Sequence, residues 1–416
     1  MKNSLEIKNF LIVDSAEIEI KKFTVFIGPQ ASGKSIVAKL LYLFYHLPEF
    51  VFNVATSRGK KRELNKAITK AFCEIFPQYA WNDKNFTIRF ITDVGEISFS
   101  HKQKKALTLT TSVHYEKLFK KIFTFAAKEP APDKLSREQI EHIQKIKEMT
   151  HESNWGFING GGSSLFIPAG RSFFASLENN VFSFLSSNIH IDYFLKEFGM
   201  IYQRTKNMSI RFTRRDSEKM NMFTDICKKF LDGVYLQKQQ KEYIRNIQTG
   251  QEVEVRDASS GQQEIMPVLF AIFKTQECFF LLEEPETHIF PSSQSEIVRY
   301  IVSRQDPNTC KKSFLFTTHS PYVLTTMNNL VYAGILEERF KTHEQTEALE
   351  KLEKIYSPEE RIRKNDLSAY YFNRGEAKSI IDSETGMVDA KELDEISVKT
   401  NDKFSEMLDL ELMESK

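Results

Sequence analysis

The chain lacks the features that mark secreted, membrane-spanning and zinc-ribbon proteins. Its four cysteines lie far apart and none forms a CxxC pair, which argues against a zinc ribbon or a redox motif. The N-terminus has no apolar leader, and no run approaches about 18 uninterrupted apolar residues, the length of a membrane span. We therefore expect no signal peptide, no membrane partner and a reducing, cytoplasmic location.

An excess of charge of one sign is also missing. The 416 residues include 57 Lys and Arg against 56 Asp and Glu, and the formal net charge is +1. This balance excludes a polycation that coats nucleic acid over its whole surface, but it allows a local basic patch. We find neither sustained heptads nor a repeat of fixed period, so a long coiled-coil arm and a repeat array are not predicted.

What is present is a pattern of strands and helices typical of an α/β protein. The segments LEIKNF, AEIEI and FTVFIGP predict short strands that end in a glycine-rich turn, and a helix follows. Residues 86–112 alternate with period two and predict antiparallel strands, and residues 241–259 predict a hairpin with a Thr-Gly turn. The tail from residue 341 is highly charged and poor in apolar residues, and we predict that it is helical and peripheral.

The strongest motif is a phosphate-binding loop at Gly28–Ser35, which matches G-x-x-x-x-G-K-[ST]. It lies between a predicted strand and a predicted helix, where backbone N–H groups and the helix N-terminus can cradle phosphate oxygens. Lys34 would reach the β- and γ-phosphates, and the Ser35 hydroxyl would reach Mg²⁺.

Three later motifs narrow the class of nucleotide-binding protein. The segment DASSGQQE at 257–264 opens a predicted helix and offers a second anion site. A buried strand ends at the paired carboxylates Glu283 and Glu284, of which one can hold Mg²⁺ or its water and the other can orient the attacking water. A further strand delivers His319 to the same edge of the sheet, where it could contact a γ-phosphate. Each motif alone has an ordinary structural explanation, but their joint order is hard to obtain by chance.

In order and spacing these motifs resemble those of the ATP-binding-cassette (ABC) ATPases, specifically the soluble SMC-, RecF- and OLD-like branch. The resemblance covers the first 45 residues, roughly residues 250–330 and, more weakly, residues 164–173. It implies an α/β fold: an ABC-type P-loop ATPase head with a mixed central sheet, an antiparallel β-lobe and a large helical insertion. Three positions depart from the family pattern, namely Glu283 in place of Asp, Ser260 in place of the Gly of transporters, and Gln30 in place of the Asn frequent in SMC proteins.

The resemblance also implies domains, cofactors and site residues. The ATPase domain would consist of residues 1–50 and 247–340, with an insertion of strands and helices at 51–163, a helical lobe at 164–246 and a charged tail at 341–416 that docks a partner. The cofactors would be ATP and Mg²⁺. The residues that bind nucleotide would be Gly28, Gln30, Ala31, Ser32, Gly33, Lys34, Ser35, Ile36, Ser259, Ser260, Gly261 and Gln262. Glu283, Glu284 and His319 would be catalytic, and Ser35 and Glu283 would hold the metal.

The family mechanism implies a homo-oligomer, at least a head-to-tail dimer. ATP would be sandwiched between the P-loop of one chain and the signature motif, Ser259–Gln262, of the other. Glu284 would orient the attacking water, and an isolated monomer would hydrolyse ATP only slowly.

One residue between these motifs allows two interpretations. Arg171 lies in the stretch Phe166–Ser172, which resembles the IPA-x-R-S segment of OLD-like ATPases. It would either sense phosphate or a partner, or form a structural ion pair.

Three basic clusters, at 59–63, 101–105 and 211–215, could contact DNA phosphates, with Phe86, Phe90 and Phe212 nearby. We favour the simpler interpretation, in which these clusters are solvated surface. DNA stays an open partner.

The sequence after His319 contains no DxD pair and no cluster of metal-binding histidines, so an effector activity is expected on another chain. The whole then resembles the stand-alone ATPase subunits of bacterial anti-phage systems, such as PtuA of Septu and retron systems and AriA of PARIS. Three hypotheses follow: an ATPase that controls a separate nuclease or toxin, a RecF-like DNA-repair ATPase, and a nucleotide-binding structural protein with negligible turnover.

Overall fold

The structure is a computed structural model of the chain, and it describes residues 3–128, 137–158, 163–174, 191–209, 217–238, 241–275, 277–305 and 311–389. The strands are β1 (Asn3–Phe10), β2 (Val13–Ile20), β3 (Phe23–Ile27), β4 (Phe86–Thr92), β5 (Gly95–His101), β6 (Thr108–Thr111), β7 (Ser163–Ile167), β8 (Gly233–Lys238), β9 (Lys241–Asn246), β10 (Glu252–Glu254), β11 (Cys278–Glu283), β12 (Lys312–Thr318), β13 (Leu367–Asn373) and β14 (Glu376–Ser379).

The described α-helices are α1 (Lys34–Tyr45), α2 (Leu47–Thr56), α3 (Lys61–Ile75), α4 (Val113–Ala126), α5 (Arg137–His151), α6 (Tyr193–Ser209), α7 (Ser217–Leu231), α8 (Ser260–Lys274), α9 (Pro291–Ser303), α10 (Pro321–Thr342) and α11 (Thr346–Ile355). Short 3-10 turns occur at Gln78–Ala80, Val255–Asp257, Pro358–Glu360 and Lys364–Asp366.

One mixed sheet of 11 strands organises the described chain, in the order β6-β5-β4-β1-β2-β14-β13-β3-β12-β11-β7. The strands from β6 to β2 are antiparallel to their neighbours, whereas β13, β3, β12, β11 and β7 run parallel. β14 joins the two halves, since it is antiparallel to β13 and parallel to β2. A separate sheet contains β10, β9 and β8.

The parallel half of the sheet is buried on both faces. In β3, Phe26 belongs to one hydrophobic core, together with residues of α1, α3 and the antiparallel strands, whereas Val25 and Ile27 belong to the other core, together with residues of α8, α9 and α10. Strands covered on both faces are expected to be apolar at every position, and all five residues of β3 are buried. The arrangement places helices on both sides of the sheet.

Much of this agrees with the sequence predictions. The α/β class and the mixed central sheet are confirmed, as are the N-terminal strands and the Thr-Gly hairpin, which β9 and β10 form. The predicted antiparallel strands near 86–112 exist as β4, β5 and β6, but they extend the same sheet that contains β3. They share the core with α1 because the sheet continues through β1.

The prediction of a wholly helical tail is wrong. α11 lies there, but β13 inserts into the middle of the central sheet, with every residue from Leu367 to Phe372 buried. The apolar stretch of β13 is short and is flanked by charged residues, so the composition of the tail hides it. Its position between β3 and β14 is set by long-range pairing, which a local pattern does not report.

Within the described residues, no single helix is long and apolar enough to cross a membrane. The helices α1 and α2 reach that length and composition only when they are counted together, and they are bent by 41° at their junction.

The central position of β13 leads to a stability prediction. Phe372 is 1% exposed and packs against Phe26 with ring centroids 5.0 Å apart. We expect Phe372→Ala to lower the free energy of unfolding by about 3–5 kcal/mol, because it opens a cavity in the core. Lys378→Ala, at an exposed position of the adjacent β14, is the matched control and should change it by less than about 0.5 kcal/mol. Chemical denaturation followed by circular dichroism measures both, and equal stability of the two variants would place β13 outside the core.

Candidate nucleotide-binding and catalytic site

The candidate site lies where four parallel strands end together. The register pairs Ile27 of β3 with Thr318 of β12, Thr317 of β12 with Glu283 of β11, and Leu282 of β11 with Ile167 of β7. The residues that follow these strands therefore form a row along one edge of the sheet. This edge is where parallel α/β sheets bind ligands, because the chain leaves each strand there to enter a loop.

The P-loop follows β3 and begins with a glycine that no other residue can replace without a backbone shift. Gly28 has a φ of 147°, and a Cβ atom there would lie 2.2 Å from the carbonyl oxygen of Phe372 in β13. Gly33, with a φ of 106°, precedes the first residue of α1. The loop is thus folded tightly against β13 before it reaches the helix N-terminus.

Lys34 folds back over this loop. Its Nζ atom donates hydrogen bonds to the carbonyl oxygens of Gly28 and Pro29, both at 2.8 Å. Burial lowers the pKa of Lys34 to about 8, and the negative charges of Glu284 and Glu286 oppose this effect. The ammonium group is therefore already inside the site, where the charges of both carboxylates act on it.

The remaining loop residues offer the surface that a nucleotide needs. Gln30, Ala31 and Ser35 are exposed, Ile36 is half-buried, and Ser32 is buried together with Gly33. Ser35 lies in the first turn of α1, where N–H groups lack partners within the helix. Its exposed hydroxyl and these N–H groups can meet phosphate oxygens and a cation there.

Glu284 and His319 are brought together at the ends of β11 and β12. The Oε1 atom of Glu284 lies 3.1 Å from Nε2 of His319, and the side chains are 36% and 31% exposed. Glu284 has a φ of 42°, an unusual value for a residue with a side chain, and its N–H donates to the carbonyl oxygen of Thr317. Glu283, the last residue of β11, is half-buried. The sequence predicted that these three residues share one edge, and the structure places them so.

A third carboxylate was missed from the sequence. Glu286 is 8% exposed and accepts hydrogen bonds at Oε1 from the Thr318 hydroxyl, at 2.5 Å, and from the His319 N–H, at 3.0 Å. Its Oε2 atom has no hydrogen-bond partner in the described chain. Burial raises the pKa of Glu286 above its ordinary value. The signal was its position two residues after Glu284, but only the fold shows that it fixes the backbone of His319.

The signature segment lies at the start of α8. The Ser259 hydroxyl accepts from the Gln262 N–H at 3.3 Å and caps the helix, and the Gln262 side chain donates to the Leu231 carbonyl oxygen at 2.6 Å. Ser259 and Ser260 are exposed. No hydrogen bond or ion pair between described residues joins this segment to the P-loop. Within the described residues, the two predicted nucleotide-binding segments are thus not joined by a polar contact.

Arg171 forms the structural ion pair that was one of its two interpretations. The side chains of Arg171 and Glu264 are both 0% exposed, and Nε of Arg171 lies 3.2 Å from Oε2 of Glu264. The remaining donors of the guanidinium group bond to backbone carbonyl oxygens. A buried group with these partners does not contact phosphate or a partner surface in this conformation.

The basic clusters are partly outside the described residues. Residues 211–215, with Phe212, are not described. The turn that contains Lys102, Lys104 and Lys105 is exposed, but Phe86 and Phe90 are 3% and 0% exposed in the core. These two rings are thus unable to stack on bases, contrary to the role that their proximity to the clusters suggested.

The described residues also include no group of three or more His, Cys, Asp or Glu side chains arranged to hold a metal ion. The oxygen donors at the site include the Ser35 hydroxyl and the carboxylates of Glu283, Glu284 and Glu286. They fit Mg²⁺, which prefers oxygen ligands and is commonly held by one or two carboxylates together with substrate phosphates and water.

The family assignment agrees with this geometry. Residues 1–324 match the family described as the AAA ATPase domain. This chain belongs to the AAA ATPase domain family. The match ends before β13, although β13 pairs with the P-loop strand. No curated protein sequence matches the chain.

Several solved structures are similar to this member of the AAA ATPase domain family, all at low identity. An SMC head bound to the C-terminal winged-helix domain of ScpA is 11% identical, covers 91% of this chain and 96% of its own, and has a TM-score of 0.41. The SMC head domain from Thermotoga maritima is 11% identical with a TM-score of 0.39, and the recombination mediator protein RecF is 11% identical with a TM-score of 0.33; each comparison covers 91% of this chain and 98% of the other. Because these TM-scores are low, the description of the fold rests on the strand order given above.

The buried Glu286 carboxylate leads to a prediction about pH. Since folding raises the pKa of Glu286, the carboxylate disfavours the folded state at neutral pH, and this effect fades as protonation becomes favourable at lower pH. We expect Glu286→Gln, whose amide oxygen still accepts from Thr318 and His319, to raise the unfolding midpoint at pH 7.5 by about 2 °C or more. The difference should shrink towards pH 5.

Thermal unfolding between pH 5 and pH 8 measures this effect. The matched control is Glu359→Gln, an exposed glutamate in the turn at Pro358–Glu360, which should not change the midpoint or its pH dependence. An unchanged or lower midpoint for Glu286→Gln at pH 7.5 would contradict the prediction.

Proposed function

We propose that this chain binds ATP with Mg²⁺ and hydrolyses it. The observation that carries the proposal is the row of strand ends, where the P-loop follows β3 while Glu284 and His319, which pair with each other, follow β11 and β12. The P-loop N–H groups and Lys34 bind the phosphates, and Ser35 and Glu283 hold the metal.

Glu284 accepts a hydrogen bond from the attacking water and orients it, and its contact with His319 limits where the carboxylate can lie. Because Glu286 holds the His319 backbone in place, the His319 side chain is positioned to donate a hydrogen bond to the γ-phosphate. Bound Mg²⁺ supplies charge that stabilises the oxygens of the transferring phosphoryl group.

The proposal includes a head-to-tail homodimer. Ser259 and Ser260 are exposed at the N-terminus of α8, where a helix can bind an anion, and no described polar contact joins them to the P-loop of their own chain. A second chain supplies the missing half of each site, so each ATP contacts the P-loop and Glu284 of one chain and the signature segment of the other.

Mixing two inactive variants tests this arrangement. Glu284→Gln should lower turnover by about 100-fold or more while ATP binding is retained, because it removes the group that orients water. Ser259→Arg should abolish turnover by blocking the sandwich. When the two variants are mixed before ATP is added, the mixed dimers contain one intact site, and about a quarter of wild-type activity should return.

The measurement is steady-state phosphate release at several protein concentrations. Glu277→Gln, an exposed glutamate just before the opposite end of β11, is the control for Glu284→Gln and should leave turnover unchanged. Failure of the mixture to regain activity would rule out the head-to-tail sandwich, and normal turnover in Glu284→Gln would rule out the role of that residue.

We further propose that ATP turnover controls a separate effector, a nuclease or toxin, in anti-phage defence within the cytoplasm. The support is the resemblance of the motif set to OLD-like stand-alone ATPase subunits. α11 has its charged residues exposed, with Ile355 62% exposed at its end, and offers a surface for such a partner.

A tagged pull-down from the native host, weighed by native mass spectrometry, tests this function. We expect one nuclease or toxin at fixed stoichiometry with Glu284→Gln and ATP, and a changed amount with Lys34→Ala, which should not hold ATP. A protein that arrives alone in both cases would contradict effector control.

DNA is the second candidate partner, favoured by one observation. Residues 58–128 contain 15 Lys and Arg but only 6 Asp and Glu, a strong local excess in a chain of net charge +1. If the pull-down recovers DNA without a protein partner, ATPase stimulation by DNA becomes the decisive assay. Charge reversal at the exposed Lys102, Lys104 and Lys105 should then remove the stimulation.

A further inference from the structure

A buried ion pair ties the signature helix to the end of β7. Glu264, in the second turn of α8, accepts at Oε2 from the Arg171 N–H, at 2.9 Å, and at Oε1 from the Ser172 N–H, at 3.0 Å. The Arg171 side chain returns along α8, because its Nε donates to the Glu264 carbonyl oxygen at 3.0 Å. Three hydrogen bonds and the Arg171–Glu264 ion pair therefore bind one turn of α8 to two residues of the loop after β7.

The terminal nitrogens of the Arg171 guanidinium group bind the backbone at the end of β7 and at the end of β11. Nη1 donates to the carbonyl oxygens of Pro168, at 2.9 Å, and Glu283, at 2.8 Å, and Nη2 donates to the carbonyl oxygen of Glu284, at 3.2 Å. Arg171 thus donates hydrogen bonds to the backbone carbonyl oxygens of both glutamates that the proposed reaction uses. Only a planar group with several fixed donors can bind Glu264 and these carbonyl groups at once.

A second contact joins the same two regions. A Cβ atom at Gly261, within the signature segment, would lie 2.8 Å from the His288 carbonyl oxygen. His288 follows Glu284 by four residues, and its Nδ1 lies 3.9 Å from Oε1 of Glu264. The start of α8 therefore packs directly on the loop that begins at Glu284.

These contacts leave little room for α8 and Glu284 to move independently. Glu284 adopts a left-handed conformation, with a φ of 42°, that a side chain disfavours, so its position depends on the contacts around it. Buried ion pairs add little net stability compared with apolar packing. The positioning of α8 relative to Glu284 therefore explains this pair better than a contribution to stability does.

We propose that Arg171 and Glu264 are positioning residues that couple ATP at the chain's own P-loop to the chain's own signature segment. ATP moves Glu284 and its backbone, Arg171 transmits the shift to Glu264, and α8 changes the presentation of Ser259 and Ser260 to the partner's ATP. The two ATP sites of a dimer are thereby linked through each chain. The inference rests on the proposed ATP binding, although not on hydrolysis.

Hydrogen–deuterium exchange tests the coupling without relying on activity. All arms carry Ser259→Arg, so that contact with a second chain cannot protect α8 directly. A non-hydrolysable ATP analogue with Mg²⁺ should slow exchange at residues 28–36 and, through the coupling, slow exchange at residues 260–266 by about threefold or more. In Arg171→Lys, residues 28–36 should remain protected and residues 260–266 should lose their response.

Two further variants complete the design. Glu264→Gln removes the opposite partner and should behave as Arg171→Lys, which keeps the test useful if one variant fails to fold. Glu360→Gln is the matched control, because it breaks a two-point ion pair between Arg299 of α9 and the turn at Pro358–Glu360. It should retain both responses.

The outcomes separate the two proposals. Protection of residues 28–36 without a response at 260–266 in the parent protein would overturn the coupling and leave ATP binding intact. A response that persists in both Arg171→Lys and Glu264→Gln would overturn the role of this pair. Absence of protection at residues 28–36 would overturn ATP binding, and the coupling with it.

Discussion

The candidate site depends on the register of β3 between its two parallel neighbours. β12 on one side brings His319 beside the P-loop, and β13 on the other side places its backbone against Gly28. A shift of one residue in either pairing would turn the side chains to the opposite face and separate the site. The apolar packing on both faces of β3 makes such a shift costly, so the packing of the core also determines the geometry of the site.

Buried charges are the second constraint, and they are concentrated at this edge of the sheet. Lys34, Glu286, Arg171 and Glu264 are all nearly or fully buried. Burial disfavours the charged form of Lys34 and of Glu286, yet each lies among groups of opposite charge or hydrogen-bond donors that compensate in part. A fold that retains such groups gives up some stability, and in return their positions are fixed before a ligand arrives.

The sequence predicted those parts of the fold and the site that are local in the chain. The P-loop, the Glu283–Glu284 pair and His319 are each recognisable within about ten residues. The local sequence pattern there indicates a strand, a turn and the start of a helix. Parallel strands whose polar residues follow their carboxyl ends also predicted that the three groups would meet, as Glu284 and His319 do at 3.1 Å. The parts that depend on pairing across the chain were not predictable in this way. β13 is flanked by charged residues, and its first residue lies 339 positions after Gly28. Nothing near Arg171 in the sequence indicates that its partner is Glu264, 93 positions away.

The separation of the P-loop from the signature segment has a consequence for control, given the proposed dimer. One chain then carries two halves of two different sites, and completing either site requires association with a second chain. In the proposed dimer, turnover depends on assembly as well as on ATP, so a partner that favours or blocks association would change the rate without contacting the nucleotide. With the coupling that we propose, the Arg171–Glu264 pair makes this dependence run in both directions, because a signature segment that engages the partner's ATP also restrains its own Glu284. An ATPase built in this way responds as a switch whose two sites report on each other, which suits control of an effector better than rapid, independent hydrolysis.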